Sequence, residues 1–161
     1  MSLLRFLMLL ALIVWIGGII FFAFVLAPSV FQVLPTTRLA GDVVNATLGK
    51  LHWMGLFSGL VFLACSLLYN QRRQARWRAF AASHVLVALM LVCTAISQFA
   101  ITPHMREIRS QMQVAGNAYA TDSNRVEFDR LHARSTSLEG CVLFLGLGVV
   151  ILTARRLEDR N

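Results

Sequence analysis

The sequence predicts an all-α protein: an integral membrane four-helix bundle with N- and C-termini cytoplasmic. Of its 161 residues, 57% are hydrophobic and 14% are charged, whereas an average soluble domain is about 45–50% apolar and about 25% charged. The mean hydropathy is +0.66. A soluble domain of this size could not bury so much apolar surface, and long uncharged runs exclude a disordered chain. We therefore expect one transmembrane domain over residues 1–161.

Four apolar segments predict four membrane-spanning helices. No charged residue occurs between Phe6 and Pro35, a longer stretch than the roughly 20 residues that cross a bilayer core. These runs lack the alternating pattern of a membrane β-barrel, so each is expected to be helical. Pro28 is expected to bend the chain near an interface, because proline removes an intrahelical donor. The predicted spans are residues 3–26, 51–69, 80–101 and 138–153.

Helical extensions are expected beyond the membrane, on the outer face. Leu39, Val43 and Leu48 recur at helical spacing before the second span. Thr102-Pro103 is typical of a helix start, with proline at the first helical position. This short helix is expected to end at Gly116-Asn117. A long helix that begins at Asp122 or Ser123 is then expected to continue into the fourth span.

The basic connection between the second and third spans predicts the orientation. Residues 70–79 contain four arginines and no acidic residue. Arg5 at one terminus and Arg155 at the other would lie on the same side. By the positive-inside rule, both termini are cytoplasmic in a multi-pass protein of the cell (inner) membrane. Because basic loops serve this purpose, the net charge of +7 does not indicate nucleic acid as a partner; the lipid bilayer is the expected one. The arginines are Arg72, Arg73, Arg76 and Arg78.

Histidines at the outer face predict a metal site. His52 opens the second span, His104 follows the third and His132 precedes the fourth. Glu139 follows His132 by seven residues, so the two lie on roughly the same helix face. Imidazole and carboxylate groups bind zinc and copper, and imidazole also binds haem iron. We therefore predict these four residues as metal ligands, with the choice among copper, zinc and haem left open.

Other polar residues in the spans can act as ligands or have a purely structural role. His84 lies inside the third span near the cytoplasmic end and is a candidate cofactor ligand, because ionisable groups are rare within membranes. Thr94 and Gln98 are expected to form interhelical hydrogen bonds. Histidines can also anchor helix ends without binding anything, and the sequence has no HxxxH or HExxH pair. The cysteines Cys65, Cys93 and Cys141 are expected to be inert packing thiols.

Gly55 and Gly59 form a GxxxG pattern in the second span. Such a stripe lets a neighbouring helix approach closely, so it predicts either tight packing inside the bundle or a homodimer. His52 lies on the same stripe, which is expected to face the bundle interior.

Four blocks of sequence resemble a known family: residues 15–35 (WIGGIIFFAFVLAPSVFQVLP), 40–55 (AGDVVNATLGKLHWMG), 102–109 (TPHMREIR) and 128–135 (FDRLHARS). They resemble the small membrane proteins grouped around transmembrane protein 205, whose bacterial members carry the domain of unknown function 4149. More distantly, the pattern is similar to the CopD-like copper-resistance proteins and the membrane-bound protoporphyrinogen oxidases, which use histidines for copper or haem. The resemblance implies a four-helix bundle and no established activity. The landmarks it suggests are Trp15, Gly17, Gly18, Pro28, Pro103, Arg109, Leu131 and His132.

The resemblance gives these landmarks a physical reading. Gly17 and Gly18 imply close helix contact, and Pro28 and Pro103 imply bends at the outer interface. Arg109 and His132 are the polar landmarks that a site would use.

Three functions fit the sequence. The first is a module that binds a metal ion or haem through its outer histidines. The second is a structural or interaction protein of the membrane without a cofactor. The third is a haem-assisted membrane oxidoreductase that exchanges electrons with a quinone. The first is the most specific hypothesis, and an enzymatic role is the less favoured one.

Overall fold

A computed structural model describes residues 2–71, 77–114 and 122–158, and within these ranges it contains helices and no strand. The arginines at positions 72, 73 and 76 and the predicted helix end at 116–117 lie outside the described residues. The elements in chain order are α1 (Ser2–Phe21), a first π-helical turn (Phe22–Leu26), α2 (Ala27–Val33), α3 (Thr37–Gln71), α4 (Trp77–Ile96), a second π-helical turn (Ser97–Ile101), α5 (Thr102–Val114) and α6 (Asp122–Glu158).

Four continuous helical segments, which we call rods, are long and apolar enough to cross a membrane. This confirms the prediction of four helical spans. They are Leu3–Val33, Thr37–Tyr69, Ala82–Met112 and Asn124–Arg155. Each has 31 to 33 residues and is therefore about 45–50 Å long, well beyond the ~30 Å hydrocarbon core. The predicted spans were shorter because they counted only apolar residues, whereas backbone hydrogen bonding carries each helix past its apolar part.

Both π-helical turns end two residues before a proline. Pro28 follows Leu26, and Pro103 follows Ile101. Proline has no N–H to donate and its ring crowds the preceding turn, so a wider turn there accommodates it. In each turn a backbone N–H bonds five residues back, from Ala27 to Phe22 and from Thr102 to Ser97. The chain thus continues helically through both prolines.

Thr102 differs from the predicted cap. It begins α5, but its φ of −59° and ψ of −44° are helical, so it does not hold the extended conformation of a capping residue. Its hydroxyl instead donates to the carbonyl oxygen of Ser97 at 2.8 Å.

The four rods pack as a bundle in which α1 lies mainly against α3 and α4 mainly against α6. Contacts of α3 with α4 and of α1 with α6 close the bundle. Its core is made of large apolar side chains from all four rods, and many others point outward and are exposed. An apolar exterior of this kind is expected to contact lipid. The largest buried core residues are Trp15, Phe62, Val87, Met90, Val142 and Val149.

Glycines permit the closest helix approaches. A β-carbon at Gly55 would collide with the indole of Trp15, and one at Gly59 would lie 2.6 Å from both Trp15 and Leu91. Side chains of the same chain therefore pack against the GxxxG stripe, as expected of tight packing inside the bundle, and the homodimer stays a prediction. A β-carbon at Gly18 would also be crowded, 2.6 Å from Met54 Cε, whereas one at Gly17 would meet nothing within 4 Å. Of the two predicted close contacts in α1, only that of Gly18 is present.

Candidate functional site

Three polar side chains meet inside the bundle, and we call them the polar cluster: His52 from α3, Gln98 from the second π-helical turn and Glu139 from α6. His52 Nδ1 lies 3.0 Å from Gln98 Oε1, and His52 Nε2 lies 2.5 Å from Glu139 Oε1. The His52 side chain is 1% exposed and that of Glu139 is 16% exposed. The buried imidazole of His52 thus links three of the four rods by its two contacts.

Helical spacing explains why these side chains converge. His52 precedes Gly55 by three residues and shares its inward face, where the bare glycine lets Trp15 of α1 pack closely. On the fourth rod, Ser135 and Glu139 are four residues apart and therefore stack on one face. The interhelical hydrogen bond predicted for Gln98 is confirmed.

Further small polar groups surround the cluster. The hydroxyls of Ser97 and Ser135 lie 3.4 Å apart, joining the second π-helical turn to α6. Thr94 is buried, and its hydroxyl has no hydrogen-bond partner among the described residues. The interhelical bond expected of Thr94 is therefore absent from the described part of the structure. These polar residues lie toward the end of the bundle that carries α5, which we call the α5 end.

Large apolar side chains occupy the interior of the bundle on the side of the cluster away from the α5 end. Val142 comes three residues after Glu139, Met90 comes eight before Gln98, and Phe62 comes ten after His52; all three are almost fully buried. The polar cluster therefore lies toward the α5 end of the bundle, and beyond it the interior is mainly apolar, with Ser58 and Thr94 among its buried polar residues.

The geometry of the cluster allows a proton shared between His52 and Glu139. With the Gln98 amide placed so that its carbonyl oxygen faces Nδ1 of His52 at 3.0 Å, Nδ1 is the nitrogen that donates; this assignment sets the tautomer. The 2.5 Å contact between Nε2 and Glu139 Oε1 then requires one further hydrogen, because a carboxylate and an imidazole lone pair cannot bond without it. With Nδ1 protonated, the pair is neutral overall whether that hydrogen resides on nitrogen or oxygen, and this arrangement keeps an uncompensated charge out of the bundle.

Few titratable groups surround the pair in the described part of the chain. The Cys93 thiol of α4 interacts electrostatically with Glu139 and with the Cys141 thiol of α6. From α1, the indole of Trp15, which does not titrate, packs against Gly55, three residues after His52. All three cysteines are free thiols.

The remaining predicted ligands lie elsewhere. His104 is exposed and pairs with Glu127 at 3.0 Å. His132 is exposed and stacks on Phe128, with ring centroids 6.3 Å apart. His84 is half-buried in α4, fourteen residues before Gln98 and hence about 21 Å away along the helix.

The predicted set of four metal ligands is therefore divided. The structure brings His52 and Glu139 together, but in its described part no group of three or more His, Cys, Asp or Glu side chains could hold a metal ion. A spacing of seven residues does place His132 and Glu139 on one face of α6, yet it separates them by about 10 Å along the axis. His104 lies on α5 and is turned toward Glu127 of α6 instead.

Arg109, a predicted polar landmark, joins helices at the α5 end. Its guanidinium donates to the carbonyl oxygen of Gly41 at 2.9 Å and lies 3.4 Å from the Asp42 carboxylate. It also lies over the Phe128 ring, 5.6 Å from the centroid. A β-carbon at Gly41 would collide with it. Arg109 thus connects α5 with both α3 and α6, and its contacts are those of a structural anchor.

Sequence reasoning missed two parts of this region. The Ser97–Ser135 contact carries no signal in the sequence, because serine is common in both buried and exposed positions. The packing of arginines against Gly41 and Gly49 was also missed, although Gly41, Asn45 and Gly49 follow one another at intervals of four residues on one helix face.

Residues 10–114, well over half of the chain, match the family model described as Domain of unknown function (DUF4149). No curated protein matches the chain. No solved structure matches it either. The likeness to transmembrane protein 205 and to the CopD-like proteins therefore has no support from these comparisons.

Proposed function

The chain belongs to the DUF4149 family, and on that premise we propose that it is a proton-responsive membrane module whose working site is the His52–Glu139 pair. The observation that carries this proposal is the burial of an imidazole against a carboxylate within a bundle of apolar helices. Ionisable groups at such positions are expensive, and they mark functional sites more often than structural ones.

Because the hydrogen bond between His52 and Glu139 depends on the shared proton, a change in protonation can break it. When the pair loses it, a carboxylate faces the lone pair of Nε2 with no hydrogen between them, and the bond that joins α3 to α6 is lost. When the pair gains a second proton, it becomes an uncompensated buried cation. Either change replaces a neutral contact by a net charge, whose burial without a partner is costly. We therefore infer that proton uptake and release alter how α3 and α6 hold together at the α5 end.

The positive-inside rule supports an orientation for this response. With both termini in the cytoplasm of a cell whose inner membrane holds the protein, the α5 end would face outward, and the pair would respond to the outer medium. A reporter fused to the C-terminus tests this: alkaline phosphatase, active only outside, is expected to be inactive there, and green fluorescent protein to be fluorescent. The opposite pattern would reverse the orientation.

Spin-label distances test the response directly. Cysteines replace the exposed residues Val43 of α3 and Ala133 of α6 in a chain whose three native cysteines are alanine. The protein is reconstituted in lipid nanodiscs and frozen from a series of acid to alkaline buffers. We expect the distance between the labels to widen when the shared proton is lost, and to stop responding in Glu139→Gln.

A matched control is present in the same chain. His104 and Glu127 form a pair of the same chemistry at the surface, so Glu127→Gln should leave the response intact. A distance that does not change with pH in the parent protein, or one that changes equally in Glu139→Gln, would contradict the proposal.

Metal binding at the same pair is a second candidate, because imidazole and carboxylate are both metal ligands. The 2.5 Å contact would have to open, since two ligand atoms that are each about 2.0–2.2 Å from a metal stand farther apart. Stoichiometric zinc or copper in the purified protein, lost in His52→Gln, would favour this candidate. A haem-assisted oxidoreductase and a cofactor-free interaction protein stay alternatives from the sequence.

A further inference from the structure

A second polar site lies between α3 and α5, apart from the polar cluster. An open cavity of about 270 Å³ at the surface is lined by residues of both helices: Asp42, Asn45 and Ala46 from α3, and Arg106, Arg109 and Ser110 from α5. From its geometry and charge, we propose that this cavity binds a phosphate group, as carried by the headgroup of an anionic phospholipid or by a soluble phosphate ester.

Two glycines of α3 leave room for the side chains of Arg109 and Arg106 to pack against the helix. A β-carbon at Gly41 would collide with Arg109, and one at Gly49 would lie 3.0 Å from Nη2 of Arg106. Asn45 lies midway between the glycines on the same helix face, because the three residues are spaced by four. Two guanidinium groups therefore flank one amide side chain, in an arrangement set by the bare backbone of α3.

The charges of the cavity favour an anion. Asp42 is engaged by Arg109 at 3.4 Å, which neutralises one of the two cations. Among the described side chains, no carboxylate pairs with Arg106, so the lining carries a net positive charge. Arg109 also retains N–H groups beyond those directed to Gly41 and Asp42, and Asn45 can donate from its amide. A guanidinium matches the geometry of phosphate oxygens with paired N–H donors.

The position of the cavity favours a lipid as the source of the phosphate. Trp53 follows Gly49 by four residues, about 6 Å along α3, and its ring contacts Phe99 of the second π-helical turn with centroids 5.7 Å apart. Both rings are more than half exposed, as is typical of aromatic residues at a membrane interface. Arg106 thus lies just beyond the expected membrane boundary, at headgroup level.

An apolar track for an acyl chain continues from the same point. Trp53, Phe57 and Leu60 follow one another along one face of α3, and they are 57%, 71% and 61% exposed. A lipid whose phosphate occupies the cavity could lay a chain along these residues. A soluble phosphate ester would use the cavity without the track.

Ligand-induced stabilisation tests the proposal in the full chain. The protein is held in neutral detergent micelles, and its unfolding temperature is measured with added short-chain phosphatidylglycerol, short-chain phosphatidylcholine, glycerol 3-phosphate or inorganic phosphate. A ligand that binds the folded state raises the unfolding temperature. We expect phosphatidylglycerol to raise it more than phosphatidylcholine does, and Arg106→Gln to weaken the apparent affinity about tenfold or more.

Two further variants keep the outcome interpretable. Ala46→Glu places a carboxylate in the cavity at an exposed position, so it should abolish the effect without removing either arginine. Arg134→Gln removes an exposed arginine of α6 outside the cavity and should change the affinity less than about twofold, since general charge attraction is weak and screened by salt.

The outcomes separate the sources and can overturn the proposal. An effect limited to phosphatidylglycerol identifies a lipid site, and an equal effect of glycerol 3-phosphate or inorganic phosphate identifies a soluble ligand; both support a phosphate site. No stabilisation of the parent protein by any of these anions would overturn it. An effect that Ala46→Glu retains, or that Arg134→Gln loses as fully as Arg106→Gln does, would overturn it as well. None of these residues belongs to the polar cluster, so the result does not depend on the proton response.

Discussion

The two histidine–glutamate pairs of this chain are alike in chemistry and opposite in environment. His52 and Glu139 are 1% and 16% exposed, whereas His104 and Glu127 are 49% and 51% exposed. An exposed pair contributes about 0–1 kcal/mol to stability, because water screens it. Removing one partner of a buried pair costs about 3–5 kcal/mol, because the other is left unpaired. The environment, and not the residue types, is what singles out the His52–Glu139 pair.

Two glycines of the bundle should respond oppositely to the same substitution. Gly55→Ala forces a β-carbon against the buried indole of Trp15, and overpacking of this kind costs about 1–3 kcal/mol. Gly17→Ala meets open space and should be neutral or stabilising by up to about 1 kcal/mol, since alanine is the better helix former. Unfolding of the purified proteins in mixed micelles measures both. Equal stability of the two variants would contradict the packing described for Trp15.

At the scale of elements, the helices were largely predictable from the sequence, and the π-helical turns within them were not. Apolar runs of membrane length are a strong signal, so all four spans were predicted from composition and position. Helix α3 begins at Thr37 and α6 at Asp122, ahead of their apolar spans, in line with the spacing of Leu39, Val43 and Leu48 and the helix start near Asp122; that these extensions lie on the outer face stays a prediction. The π-helical turns were not, because a proline in a helical pattern indicates a bend or an end of the helix without showing which of these the chain adopts.

The candidate site was predictable only in part, for reasons of helix rotation. The inward position of His52 followed from the face it shares with Gly55, and the interhelical hydrogen bond of Gln98 followed from its polarity within a span. Their meeting with Glu139 depends on how α3, α4 and α6 are turned about their axes, and the second π-helical turn adds to that rotation just before α5. The sequence therefore supplied the residue types of a site without showing which of four histidines would occupy it.

At the scale of the molecule, the bundle has two unlike ends. At one end Arg5 of α1 donates to the Tyr69 hydroxyl of α3 at 2.6 Å and lies over its ring, joining those two rods near the termini. At the other, Arg109 joins α5 to α3 and α6, and the polar cluster lies nearby. Between the ends the core is mainly apolar, with a few buried hydroxyl groups such as those of Ser58 and Ser66. This arrangement places every proposed binding function at the α5 end.

Nitrogen-15 NMR of the histidine side chains in lipid nanodiscs tests the central claim most directly, with His52 assigned by comparison with His52→Gln. We expect the Nε2 signal of His52 to report a hydrogen shared with Glu139 and to change its dependence on pH in Glu139→Gln, while Glu127→Gln leaves it unchanged. A His52 signal that titrates like that of exposed His104, and that Glu139→Gln does not alter, would contradict a proton held between His52 and Glu139.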